Sequence, residues 1–262
     1  VMEQRITSRR NPLLTHTKKL LTSRAYREKC GEFAADGVKL LAEAARWYPG
    51  LHTVIAEEAV ELCKLPDTVR VIRVPKDVMQ SVSLMDAPQG AIFLCRLPER
   101  KSGALTSGTL LLDGIQDPGN LGTIIRLADW FGITDIVCSE ASADCFNPKV
   151  VQATMGAILR VRVHYTDLAA LLSKAAALGL PVCGTFLEGA NIYETELKPA
   201  GIVVMGNEGR GIPDAVARTV TQKLFIPPWP ADRRGSESLN VAMATGIVCG
   251  EFRRQASAKA GK

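Results

Sequence analysis

From residue 109 onward the chain alternates short apolar runs with helical stretches, and no other feature constrains its fold as much. The runs Thr109–Leu112, Thr134–Cys138, Leu180–Cys183, Gly201–Met205 and Lys223–Ile226 are apolar at nearly every position. Continuous rather than alternating apolarity means burial on both faces, the mark of parallel strands. Helical patterns near 120–131, 148–158, 167–178, 213–219 and 239–254 separate or follow them. This alternation predicts an α/β fold with a doubly wound parallel sheet. Ligands in such sheets bind where loops leave the carboxyl ends of the strands. The loops after Leu112, Cys183, Met205 and Ile226 are therefore the ones to inspect.

The first hundred residues read as a smaller α/β unit. Helices are expected over Pro12–Lys29 and Gly37–Trp47, and extended runs at His52–Ala56, Val69–Val74 and Ala91–Leu97. Between the two patterns lies the polar, Gly/Ser-rich stretch PERKSGALTSG. It predicts domains at 1–98 and 109–262 joined by a linker over about 99–108. A chain of 262 residues suits two modest domains at about 150 residues each.

The unequal spread of charge suggests a partner. Net charge is +5, yet residues 1–30 carry eight Lys/Arg against Glu3 and Glu28. A basic cluster of this density attracts polyanions through counterion release. A solvated terminus is the competing reading. Other classes are excluded more simply. No apolar run approaches the ~20 residues of a membrane helix, and no basic-then-apolar leader opens the chain. Seven cysteines, an odd number without a C-x-x-C pair, point to reduced thiols in the cytoplasm rather than disulfides or zinc. Three unpaired histidines make a metal centre unexpected.

Three of the strand-end loops are unusual. The first, Asp113 to Gly122, leads into a helix whose apolar face is Leu121, Ile124, Ile125, Ala128 and Phe131. Asn120 is placed to cap that helix. Arg126 lies on another side, either reaching into the cleft or pairing with Asp129. The second, Met205-Gly-Asn-Glu-Gly-Arg-Gly211, puts three glycines in six residues, with Glu208 at its tip. Bare peptide there admits close approach of a ligand, although an isolated loop of this kind is an ordinary turn. Neither loop has the G-x-G-x-x-G or G-x-x-x-x-G-K-[ST] form, so nucleotide-phosphate sites of those kinds are not supported. The third, Ile226 to Ser236, leads into Glu237-Ser-Leu-Asn-Val-Ala242, where Ser238 and Asn240 stand at a helix start.

In order and spacing, N-L-G-x-x-x-R after a strand, V-M-G-N-E-G-x-G-I, and I-P followed by S-L-N-V-A-x-A resemble the SpoU/TrmH-type RNA ribose methyltransferases of the SPOUT superfamily. The resemblance spans residues 109–254. Asn147 to Ala157 is similar to the family's intermediate segment, with Gln152 and Thr154 where Arg and Ser are usual. Residues 1–97 are similar, more loosely, to an L30e-like RNA-binding domain, with Asp36 replacing a Glu.

The resemblance implies a deep trefoil knot at the carboxyl end, with the chain near 206–240 threaded through a loop. It implies S-adenosyl-L-methionine as cofactor, contacted by Gly206, Ile226 and Leu239 and bordered by Gly184 and Thr185. It also implies a homodimer packed through the knot and methyl transfer to a ribose 2′-hydroxyl, in ribosomal RNA first and transfer RNA second. The catalytic set carried over is Arg126, Asn120, Glu208, Ser238 and Asn240. Arg126 either takes the hydroxyl proton or stabilises the developing alkoxide, since a guanidinium with pKa above about 12 is a poor base. Glu208 is the one carboxylate within these motifs that could serve instead. The RNA contacts expected are Arg9, Arg10, Lys18, Lys19, Arg24 and Arg27. The insertion Pro228–Arg234 lengthens the third motif. A non-catalytic RNA-binding or ribosome-assembly factor on the same scaffold is the alternative.

Overall fold

A computed structural model describes residues 3–99, 109–198, 201–230 and 235–260. All of the expected linker after its first residue lies outside these, as do residues 231–234 of the insertion. The chain forms two compact units, residues 1–100 with 144–160, and residues 101–143 with 161–262.

The first unit opens with strand β1 (Glu3–Arg5), helices α1 (Pro12–Thr22) and α2 (Arg24–Cys30), and strand β2 (Glu32–Asp36). Helix α3 (Val38–Trp47), strands β3 (Leu51–Glu57) and β4 (Arg70–Val74), helix α4 (Lys76–Val82) and strand β5 (Ala91–Arg96) follow. The single helix expected over 12–29 is broken at Ser23. That residue's N–H donates to Lys19 O, closing α1, while its Oγ accepts from Tyr26 N and opens α2. The strands form one mixed sheet in the order β1-β4-β3-β5-β2, with β5 antiparallel to both neighbours. Leu14, Leu20 and Leu21 of α1 bury against Ile55, Ile72 and Ile92 of the sheet. Each such side chain stabilises by about 1.5–3 kcal/mol.

Helix α6 (Pro148–Ala153) and a 3₁₀ turn at Ala157–Leu159 also belong to this unit. The linker position instead predicts them in the second domain, 109–262. Phe146 lies 4.6 Å from the ring of Phe33, Gln152 Nε2 donates to Asp36 O, and Arg27 pairs with Asp144 at 2.5 Å.

The second unit contains β6 (Leu110–Leu112), α5 (Pro118–Trp130), β7 (Asp135–Cys138), β8 (Arg162–Tyr165) and α7 (Leu168–Ala177). It continues through β9 (Val182–Asn191), β10 (Ile202–Met205), α8 (Asp214–Ala217), β11 (Gln222–Phe225) and α9 (Val241–Ala260). All six strands are parallel, in the order β11-β9-β10-β6-β7-β8. The sixth, β8, is an edge strand whose polar side chains give no apolar run. Asp135 holds it, accepting from Arg162 and approaching His164 at 2.9 Å. Among the described residues no helix is long and apolar enough to cross a membrane, and no cluster of His, Cys, Asp and Glu fits a metal ion.

Candidate active site

The strand order fixes where a site can form. From β6 the chain steps outward through β7 to β8, then returns to the other side of β6 with β9 and β10. The direction of winding therefore reverses between β6 and β10, the point at which sheets of this kind bind ligands. The loops leaving these two strands are the first and second singled out above.

The first loop is built around Asp117. Its Oδ1 accepts from Asn120 N at 2.7 Å, and Pro118 follows at the first helical position. Asp117, not Asn120, is thus the cap. Asn120 sits in the first turn of α5 with its side chain released for other partners. Asp-Pro at a helix start is a cap signal in its own right, and could have been read from the sequence. Behind the loop, Ser139 Oγ accepts from Gly114 N and Ser142 Oγ from Ile115 N, fixing the backbone that leaves β6.

The second loop turns back on itself. Asn207 and Gly211 exchange both backbone hydrogen bonds, and Asn207 Oδ1 accepts from Gly209 N and Arg210 N. A methyl group on Gly206 would lie 2.4 Å from the carbonyl carbon of Gly211, so only glycine fits there. Asn207 Nδ2 also donates to Gly114 O at 2.7 Å, tying this loop to the first. Sequence reasoning missed Asn207, although an Asn before a Gly-rich turn is a known local acceptor of backbone N–H groups.

The three loops then meet through side chains. Asn240 Nδ2 donates to Asn120 Oδ1 at 2.9 Å, and Asn120 Nδ2 donates to Glu208 Oε1 at 2.7 Å. Asn240 Oδ1 accepts from Ala242 N and Met243 N, so it also caps α9. Each amide in this relay has its orientation set by a partner on both sides. Arg126 is exposed and makes no hydrogen bond or ion pair among the described residues, Asp129 included. It lies six residues along α5 from Asn120, less than two turns and about 9 Å of rise, on a different side of the same helix. Ser238 is exposed and takes no part in the relay.

The expected cofactor contacts divide. The backbones of Gly206, Ile226 and Leu239 make no hydrogen bonds among the described residues, and so leave peptide donors and acceptors open on the second and third loops. Thr185 Oγ1 sits 3.5 Å from Val204 O beside them. Gly184 is different. It is buried within β9, and the space a side chain would take is filled by Phe186, Val220 and Ile212, so only glycine fits at that position.

The expected RNA contacts divide as well. Arg9, Lys18 and Lys19 line one groove of about 340 Å³ in the first unit, with Thr15, Thr22 and Ser81. Arg10 is exposed beside Arg9 in the chain, and Arg24 pairs with Glu28 at 3.1 Å. Arg27 is a correction. It is 4% exposed and donates to Leu20 O and Asp144, so no phosphate can reach it.

Residues 107–250 match the SpoU rRNA Methylase family, and residues 11–92 the MRM3-like substrate binding domain. The chain is 31% identical over 248 residues to the 23S rRNA (guanosine(2553)-2′-O)-methyltransferase RlmP of Bacillus subtilis, covering 94% of this chain and 97% of that one. Its structure is similar to that of a TrmH-family protein from Porphyromonas gingivalis, with a TM-score of 0.83, 38% identity and coverage of 92% and 97%. It is also similar to an AdoMet-bound rRNA methyltransferase from Sinorhizobium meliloti, with a TM-score of 0.81, 27% identity and coverage of 96% and 98%.

Proposed function

The chain belongs to the SpoU rRNA Methylase family, and from that premise we propose that it methylates a ribose 2′-hydroxyl of ribosomal RNA using S-adenosyl-L-methionine. The observation that carries the reading is the Asn240–Asn120–Glu208 relay, which joins three separated loops at the winding reversal, on the helix that also carries Arg126. A factor that only bound RNA would have no need of such a relay.

Bound S-adenosyl-L-methionine supplies an electrophilic sulfonium methyl, so no metal is needed for activation. The open backbone groups of Gly206, Ile226 and Leu239 suit adenine and ribose recognition, with Thr185 at the border. Glu208 and Asn240 hold Asn120, and with Ser238 they orient the incoming ribose and Arg126. In-line orientation of this kind is worth roughly 7–11 kcal/mol of the barrier. Arg126 binds the adjoining phosphate and stabilises negative charge developing on the 2′-oxygen. Arg9, Arg10, Lys18 and Lys19 of the first unit, with Arg24, hold the RNA backbone.

The same reading includes the trefoil knot, with the chain near 206–240 threaded, and a homodimer packed through it. In support, β10 lies between β9 and β6 while β11 lies outside β9, and Leu239 and Met243 remain exposed. The reading puts the enzyme in the cytoplasm, and seven cysteines without a disulfide among them support it. The test is methyl transfer from labelled cofactor to unmodified ribosomal RNA. Arg126→Ala is expected to lower kcat by about 10²–10³ with cofactor affinity intact. Undiminished transfer by that variant would remove Arg126 from the chemistry.

A further inference from the structure

Trp47 closes α3 with its indole 47% exposed, an uncommon state for so large an apolar group. Two cations attend it. The guanidinium carbon of Arg46 lies 4.8 Å from the ring centroid and that of Arg160 lies 5.9 Å away, both within cation–π range. Glu43 fixes Arg160 in place, accepting from its Nη1 at 2.6 Å. The Arg46 guanidinium has no hydrogen-bond partner among the described residues.

The edge of this cluster is strained. Met155 is 60% exposed and has φ of 51°, the one non-glycine residue with positive φ among those described. A long side chain in the left-handed region is strained, and such strain gathers at functional sites. Its neighbour Gly156 lies against Glu43, where a methyl group would come within 3.0 Å of Cγ. Met155 is thus held beside the carboxylate that positions Arg160.

We propose that Trp47, Arg46 and Arg160 form a stacking site for an unpaired RNA base and its adjoining phosphate, bordered by Met155. The inference rests on the RNA-methylating function proposed above and adds a recognition element to it. An exposed aromatic face accepts any base that has left its helix, while guanidiniums beside it take phosphate or stack in turn. Bases inside an A-form duplex present no face, so the ligand is a loop or bulge. Two guanidiniums over one exposed ring favour an anionic ligand over an apolar protein partner. The site shares no residue with the groove lined by Arg9, Lys18 and Lys19.

The test uses the full chain with Trp130→Phe and Trp229→Phe, leaving Trp47 as the only tryptophan. A short oligoadenylate is expected to quench Trp47 fluorescence saturably, and an RNA duplex to leave it unchanged. Arg46→Ala is expected to weaken the quench. In the otherwise native chain, Trp47→Ala should raise KM for unmodified ribosomal RNA about tenfold with kcat and the melting temperature unchanged. Trp47→Phe should restore most of the loss. No quench, together with an unchanged KM, overturns the proposal while methyl transfer by the native chain leaves the functional reading intact. A change in oligomeric state with unaltered RNA binding also overturns it and assigns the patch to a protein contact. Quenching without methyl transfer to any RNA upholds the stacking site and sinks the functional reading instead.

Discussion

Asn120 donates its side-chain amide to Glu208 Oε1 at 2.7 Å while its own carbonyl oxygen accepts from Asn240. Glu208 therefore acts on Asn120 as a hydrogen-bond acceptor, a task that does not require charge. Glu208→Gln keeps an acceptor oxygen at the same reach and is expected to retain kcat within about tenfold. Glu208→Ala frees Asn120 to rotate, and small misplacements at a reacting centre cost about 10²-fold. Single-turnover methyl transfer separates the two. If the glutamine variant were as slow as the alanine variant, the carboxylate itself would be the proton acceptor.

Arg27 has the composition of an RNA contact and the position of a core cation. It is 4% exposed and bound to Asp144 and to Leu20 O. Removing one partner of a buried pair leaves the other charge uncompensated, typically at about 3–5 kcal/mol. Arg27→Ala is expected to lose stability on that scale in denaturant titration, and whatever folds should bind RNA as the native chain does. A stable variant with weakened RNA binding would restore the phosphate-contact role.

What the sequence disclosed depended on how local the cause was. Strands β6, β7 and β10 were legible because burial on both faces demands apolar residues throughout. Strand β8 was not, because an edge strand held by the Asp135 pairs to Arg162 and His164 carries no apolar run. The break at Ser23 was missed because one residue serves as the end of α1 and the start of α2, while the apolar spacing runs on across it. The swap of cap from Asn120 to Asp117 followed from giving the asparagine precedence over Asp-Pro. The packing of 144–160 into the first unit had no local signal, since it depends on Arg27–Asp144 and Gln152–Asp36 contacts over a hundred residues apart in sequence. The loops themselves were legible as motifs. Their convergence was not, because only the placement of β10 beside β6 brings Asn207 to Gly114.

Asp36 gives the first unit a pH dependence of definite sign. It is 5% exposed, with Oδ2 accepting from Ser83 and Oδ1 without a partner. Burial pushes its carboxyl above the usual range, opposed in part by the Ser83 hydroxyl. A carboxyl raised on folding supports the native state fully below its unfolded pKa of about 3.9, and that support is lost as pH rises through the folded value. Asp36→Asn removes the titration. The stability of the variant relative to the native chain should therefore climb from about pH 4 upward and level off once Asp36 is ionised. Urea titrations across that range measure it, and a difference independent of pH would contradict the assignment.

Asn207 separates two structural duties that one substitution set can resolve. Its Oδ1 gathers Gly209 N and Arg210 N, shaping the glycine loop, while its Nδ2 reaches Gly114 O and joins that loop to the first. Asn207→Ala loses three hydrogen bonds at about 1 kcal/mol each, so both the melting temperature and cofactor affinity should fall. Asn207→Asp keeps an acceptor for the two backbone N–H groups but sets a carboxylate oxygen against the Gly114 carbonyl, where attraction becomes repulsion. The turn should survive and the junction should open. Calorimetric titration with S-adenosyl-L-methionine is expected to show the aspartate variant binding roughly tenfold more weakly or worse, with a smaller loss of melting temperature than the alanine variant. Native affinity in the aspartate variant would mean that the junction with Gly114 does not hold the cofactor loop in its binding shape, and that the turn alone suffices.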